Sequence, residues 1–396
     1  LAALALAAAG LPSTDQRIER AMGFVLASVE RDADGATVPG NHSSVWSTAL
    51  SLRALLHAGD RLESGLLESL LWLLGAQATE PNALCNHRSR GAVRTGGFAF
   101  QHANDKMTDS DDTAVVIDTL AACLGRPELP GDLRPEVEAA IERALLFLEG
   151  MQNPDGGWSA FVHGLPGKPT GPIMTTPLSA PTSLSGLMKL VRTPLYAFGD
   201  PSTEDVTGRV LRALGNRRVA RRPAAIARGR AFLERQQCKS GAWWGRWSTN
   251  FLWGTPHALV GLVATGSSLD APAVRRGIDY LRSRQRRDGS FGETERSFGD
   301  PSLDGRGPSM PPLTATVLEA LVKIGLTKSE MAQRAAENLM RTQLADGDWP
   351  DGGHLQVMIP PLSFYAYPGS HRHPPLEALA LYRAAGSRLH RGPTFP

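Results

Sequence analysis

Three carboxylates crowd into four residues, Asp109, Ser110, Asp111 and Asp112, at the start of an apolar run with helical spacing. A lone aspartate there would need no more explanation than capping and the pull of a helix N-terminus on negative charge. Three carboxylates repel one another, and the repulsion raises the pKa of at least one until it keeps a proton near neutrality. The helix N-terminus acts in the opposite sense, stabilising the conjugate base once the proton has left. A group that is both protonated and strongly acidic is what protonation of a carbon–carbon double bond demands, because an alkene is a very poor base. The segment GGFAFQHANDKMTDSDDTAVVIDT, Gly96 to Thr119, therefore reads as an acid poised to begin carbocation chemistry.

The elements that must hold this acid follow from internal repetition. A helix-period segment ends in Gln and leads into a Gly-rich turn and an aromatic: Gln152, Gly156, Trp158; Gln237, Gly241, Trp243; Gln285, Gly289, Phe291; Gln343, Gly347, Trp349. Looser versions surround Gln77 with Gly96 and Phe98, and Glu30 with Gly35. A second, more apolar helix follows each turn, predicted to begin near Ser47, Asp111, Asp205, Pro256, Thr314 and Pro375. These helices are expected to stop near Gly59, Gly125, Gly215, Gly266, Gly325 and Gly386, as capping physics favours. Amphipathic partners are expected at 15–29, 64–75, 135–151, 224–236, 272–284 and 329–342. Nearly all-apolar helices belong inside and half-polar ones outside, so the fold class is all-α, a closed α6-α6 toroid with inner and outer helix rings. Its centre is expected to be an apolar cavity whose mouth is lined by loops at the inner-helix N-termini.

Composition narrows the function classes. In 396 residues, 42% apolar and 20% charged residues describe a globular chain, and no apolar run is long enough for a bilayer-spanning helix. A net charge of +3 gives no case for nucleic acid. Cys85, Cys123 and Cys238 are few, odd in number and widely spaced, which favours a reducing compartment, hence a cytoplasmic location, over a disulfide framework. The cluster Arg217, Arg218, Arg221 and Arg222 is either a solvated loop or an attraction for anionic lipid. The Pro-, Ser- and Thr-rich stretch 164–201, with its apolar run 184–195, is either a surface insertion or a monotopic membrane contact. The apolar run 1–10, halted by Gly10 and Pro12, reads as the second half of a helix.

The Gln-to-aromatic turns resemble the QW motifs of triterpene cyclases, and Asp109 to Asp112 with the following Thr113 and Ala114 resembles their DxDD motif. GGFAFQ at Gly96 to Gln101, the ED-V-TG-RVL pattern at Glu204 to Leu211, GRW-STN-FLWGT at Gly245 to Thr255, and Arg372 with His373 extend the resemblance to squalene-hopene cyclases over nearly the whole chain. The resemblance implies a class II terpene cyclase, an isomerase that needs no cofactor or metal and cyclises a linear isoprenoid such as squalene. It makes Asp111 the general acid, with Asp109 and Asp112 as hydrogen-bonding partners. Trp46, Phe100, Trp247 and Phe364 match the family's cavity aromatics, whose faces steady cations without quenching them. A peripheral or monotopic membrane association and a second copy of the chain are the partners it suggests. Residues 1–14 would be the last helix of the family's second α-barrel domain, and 15–396 the toroid.

Departures from the family pattern matter as much. Arg209 stands where hopene cyclases carry a His beside the acid, and Trp253 where a Tyr helps relay the proton; Trp253 thereby joins the candidate substrate-binding aromatics. An Asp is replaced by Ser47, leaving Ser43 as a nearby hydroxyl. Arginine stays charged, so Arg209 can strengthen the acid but cannot return its proton, which leaves water or His257 for that task. Family aromatics are replaced by Pro360, Pro368 and His371, which points to a substrate shorter than squalene or one ending in an aromatic or polar head group. Two rivals share the toroid: a zinc-dependent protein prenyltransferase subunit, for which Cys85 and Cys238 offer no convincing ligand set, and a non-catalytic prenyl-lipid-binding toroid.

Overall fold

Helices rich in apolar residues on every side can only be satisfied by burial on every side, and the chain arranges them in that way. The computed structural model describes residues 43–81, 95–163, 200–350, 355–359, 363–365 and 369–390, with a few positions among the first 42. Two compact units divide the chain at Leu1–His42 and Ser43–Pro396. In the first, β1 (Glu30–Asp32) pairs antiparallel with β2 (Gly35–Thr37). The outer helix expected at 15–29 and the helix remnant at 1–10 fall wholly or mostly outside the described residues.

Six inner helices build the second unit: α1 (Ser44–Ala58), α3 (Ser110–Leu124), α5 (Glu204–Leu214), α7 (Phe251–Ala264), α9 (Pro311–Lys323) and α11 (His373–His390). Each packs on the next, and α11 packs back on α1, which closes the ring. Outside it lie α2 (Ser64–Gly75), α4 (Arg134–Met151), α6 (Pro223–Gln236), α8 (Pro272–Arg284) and α10 (Glu330–Thr342), each packed mainly against the inner helix that precedes it in the chain. This second unit is an α/α toroid. Short strands that no alternating pattern announced accompany it: β3 (Phe98–Ala99) pairs with β4 (Thr108–Asp109), and β5 (Gln356–Ile359) with β6 (Ser363–Tyr365).

The repeated turns staple neighbouring pairs together. The side-chain amide of Gln152 donates to the carbonyls of Gly156 and of Ala225 in the next outer helix, both at 2.9 Å. Gln77, Gln237 and Gln285 repeat this double bond, to Gly96 and Ala140, Gly241 and Ala273, and Gly289 and Met331. At Gln77, Gln152 and Gln237 an Arg of the following outer helix then donates to the Gln carbonyl oxygen, as Arg143 does to Gln77 at 2.6 Å. The indole of Trp158 donates to Leu148 at 2.7 Å, and its ring lies where a Cβ on Gly229 of α6 would collide. Gly156, at φ 92°, occupies the left-handed region that the turn needs.

Two expected boundaries move. Pro256, taken as a helix start, lies inside α7, which begins five residues earlier at Phe251. The carboxylate of Glu293 accepts from the Leu252 amide at 2.8 Å and so caps that first turn from a distant segment. Gly386 does not stop α11, which runs on to His390.

Candidate active site

The acidic cluster sits where β4 turns into α3. Asp109 is the N-cap: its Oδ1 accepts from the Asp112 amide at 2.8 Å. Thr113 locks the turn, donating to the Asp109 carbonyl at 2.5 Å and accepting from the Phe98 amide of β3 at 2.9 Å. Asp109 and Asp112 are buried, and the Asp111 side chain is 13% exposed.

Burial is the first cause of the acidity pattern, ahead of the mutual repulsion expected from the sequence. It pushes Asp109 up to about 7, Asp111 up to about 6 and Asp112 well above the usual carboxylate range. A hydrogen bond between the Asp109 and Asp112 carboxyls favours ionised Asp109 and protonated Asp112. These two therefore serve each other, and the side-chain partner of Asp111 is Arg209. Arg209 Nη1 donates to Asp111 Oδ2 at 3.0 Å and holds the acid down, while Asp205 repels it from below on α5. Asp111 Oδ1 is buried with no hydrogen-bond partner among the described residues.

Arg209 is itself clamped. Its guanidinium carbon lies 4.7 Å from the Trp46 ring centroid and 4.5 Å from that of Trp253. Its Nη2 approaches His257 Nε2 at 3.1 Å, and the imidazole meets Trp253 edge-on at 4.6 Å. Burial first, then Arg209, keeps His257 well below the ordinary histidine pKa, so it is neutral and accepts from the arginine. Gly208 and Gly261 make this approach feasible: a Cβ on Gly208 would lie 2.5 Å from the His257 carbonyl carbon, so α5 and α7 touch backbone to backbone.

The other singled-out residues separate into groups. Phe100 packs on Trp46 at 6.3 Å. Trp247 meets Phe161 edge-on at 5.5 Å, and the Arg246 guanidinium carbon lies 4.1 Å from the Trp247 ring centroid. The Arg246 and Trp247 amides both donate to Asp205 Oδ2, which ties that loop to α5. Phe364 belongs to a distinct cluster with Phe298 and Trp244. Ser43 is buried and bonded to Ser47 at 2.6 Å, its hydroxyl turned to that partner and not to a carboxylate. His371 contacts Asp348, whereas Pro360, Pro368, Cys85 and the stretch 164–199 lie outside the described residues. Arg222 pairs with Glu142 and Glu149. Among the described residues no helix is long and apolar enough to cross a membrane.

The lumen beneath the site presents a mostly apolar surface, as expected, with charges set behind it. Trp46, Leu50, Ala114, Val115 and Trp253 line part of a small chamber with about 50 Å³ of room for water-sized molecules. Its remaining wall is ionic. Arg53 grips Glu377 through two bonds of 2.8 and 2.9 Å, and Arg212 bridges Asp118 at 2.5 Å and Glu319 at 3.0 Å. Pairs this buried persist because each charge has a partner. Sequence reasoning missed this belt, Phe161 and the role of Asp205, which was visible only as a helix start and as part of the ED-V-TG-RVL pattern.

Comparison with known proteins agrees with the geometry. The family model of the squalene-hopene cyclase C-terminal domain matches residues 42–167 and 185–384. The chain is 33% identical over 357 residues to the squalene–hopene cyclase of Bradyrhizobium diazoefficiens, covering 86% of this chain and 49% of that one. For the Alicyclobacillus acidocaldarius squalene–hopene cyclase the identity is 32%, over 92% of this chain and 54% of the other. The chain thus spans about half the length of these curated relatives. A solved structure of the type II terpene cyclase MstE from Scytonema, in complex with its substrate geranylgeranyl dihydroxybenzoate, superimposes with a TM-score of 0.53 at 15% identity, over 93% of this chain and 96% of that one. With an acidic turn on an inner helix, Gln-stapled pairs and a family match across most of its length, the chain belongs to the squalene-hopene cyclase C-terminal domain family.

Proposed function

We propose that the protein is a class II terpene cyclase in which Asp111 protonates the terminal double bond of a linear isoprenoid. The observation that carries this is the divided duty of one buried carboxyl: Oδ2 is held by Arg209, and Oδ1 has no partner among the described residues. The proton resides on Oδ1, transfer to the alkene leaves a carboxylate, and Arg209 with the α3 N-terminus stabilises that charge as it forms. Asp109 and Asp112 fix the turn, and the hydrogen bond between them keeps the Asp112 carboxyl protonated beside the acid. The new cation is consumed by the next double bond of the folded chain, forming a carbon–carbon bond, and the ring aromatics steady its successors.

The substrate class is a linear polyprenyl chain such as squalene. A second reading, an isoprenoid that is shorter or carries an aromatic or polar head group, rests on Pro360, Pro368 and His371 standing where the family has aromatics, and it suits the likeness in fold to a solved cyclase that holds geranylgeranyl dihydroxybenzoate. Incubation with squalene and with geranylgeranyl dihydroxybenzoate, followed by mass spectrometry, separates the two. Asp111→Asn is expected to abolish cyclised product by at least ~10²-fold while retaining substrate binding. Equal product from wild type and Asp111→Asn overturns the mechanism, and binding without product in the wild type leaves the non-catalytic lipid-binding toroid.

A further inference from the structure

The acid has a polar neighbour that a carbocation would not survive. On the lumen side of Arg209, Gln356 is buried, 4% exposed, and neither its amide nitrogen nor its carbonyl oxygen finds a partner among the described residues. His373 Nδ1, on the same chamber wall, is likewise unpartnered. Buried amide and imidazole groups need hydrogen bonds, and a chamber open to solvent supplies them as water. The lumen therefore has room and partners for water one side chain away from Asp111, since Arg209 both lines the chamber and bonds the acid.

What separates the two is the stack of Trp46, Arg209 and Trp253. At 4.7 and 4.5 Å from the ring centroids, the guanidinium is in contact with both indoles and leaves no water-sized gap between them. Arg209 is pinned above by Asp111 and at the side by His257, so the slab spans α1, α5 and α7. Arg209, Trp46 and Trp253 line the chamber, and Asp111 is not among its lining residues. We propose that the Trp46–Arg209–Trp253 stack is a water seal, and that opening it lets lumen water capture the cation Asp111 has just made.

The proposal rests on the cyclase reading and specifies a reaction. The Asp111 O–H bond breaks as a C–H bond forms at the terminal alkene, leaving a tertiary cation at the adjacent carbon. With the seal open, a lumen water gives a lone pair to that carbon and forms a C–O bond. The resulting oxonium returns a proton to the Asp111 carboxylate. The balance is addition of water to one double bond, yielding an uncyclised tertiary alcohol and a re-protonated acid. With the seal intact, the neighbouring double bond supplies the electron pair instead.

The full chain is compared as wild type, Trp253→Ala and Trp253→Phe, with squalene and geranylgeranyl dihydroxybenzoate in ¹⁸O-labelled water. Trp253→Ala is expected to raise the ratio of ¹⁸O-bearing uncyclised alcohol to cyclised product by about tenfold or more, while Trp253→Phe, which keeps a ring over Arg209, stays near wild type. A loss of turnover with that ratio unchanged shows a merely structural tryptophan and overturns the seal. A crystal structure of the wild-type chain tests the same claim without activity: water bonded to Gln356 and His373 supports it, and water reaching Asp111 from the lumen refutes it. Should neither substrate react, the cyclase reading fails while the crystallographic result still judges the seal.

Discussion

Replacing Arg209 by Gln should change the strength of the acid in a measurable sense. The guanidinium lies 3.0 Å from Asp111 Oδ2, and both side chains are largely buried, 7% and 13% exposed. An opposite charge this near lowers a carboxyl pKa by about 1–3. Burial has already raised Asp111 to about 6 with the arginine in place. An acid must be protonated to act, so wild-type turnover is full below that value and falls as pH rises through it. In Arg209→Gln the pKa loses its downward pull, and the alkaline limb moves up by about 1–3 pH units. The same change makes a weaker acid, so the rate on the low-pH plateau falls by roughly 3- to 30-fold for a proton about half transferred at the barrier. Single-turnover cyclisation measured from pH 4.5 to 9 reads both effects. A limb that stays put, or moves down, refutes the pairing of Arg209 with the acid as the source of its strength.

Gln237→Ala removes two amide bonds and leaves the Gly241 and Ala273 carbonyls without them, so the unfolding free energy should drop by about 1–3 kcal/mol, and an unchanged denaturation midpoint would contradict the staple. Glu204 is fully buried, neither of its oxygens has a partner among the described residues, and burial raises it well above 4.5. Its folded pKa exceeds its unfolded one, so the carboxyl costs nothing below the unfolded value and an increasing amount as pH rises toward the folded one. Glu204→Gln should therefore gain stability over wild type between pH 5 and pH 8; a pH-independent difference in urea midpoints would refute this.

The ring and its outer partners were legible because their signals are local. Apolar period, terminal glycines and the Gln-to-aromatic turns all act within a few residues, and α8 and α2 run as expected over 272–284 and 64–75. The acid was legible for the same reason, since its cap, its helix and its neighbours lie within five residues. What escaped depends on distance along the chain. The start of α7 is set by Glu293, 41 residues from the amide it caps, so Pro256 was mistaken for a beginning. The lumen's charges read as ordinary surface residues on separate helices, and only ring closure brings Arg53 to Glu377. The Asp109–Asp112 bond also defied the spacing, which marks three carboxylates as equals and gives no hint that burial would sort them.

That closure bears on how the molecule is made. Arg53 and Glu377 stand 324 residues apart, and until α11 emerges from the ribosome the guanidinium on α1 has only Asp118 of α3, at 3.9 Å, as a near counter-charge. A nascent chain halted before α11 would hold an open arc of greasy helices with Arg53 short of its two shortest bonds. Closure thus waits on α11, which delivers the carboxylate that completes the circle.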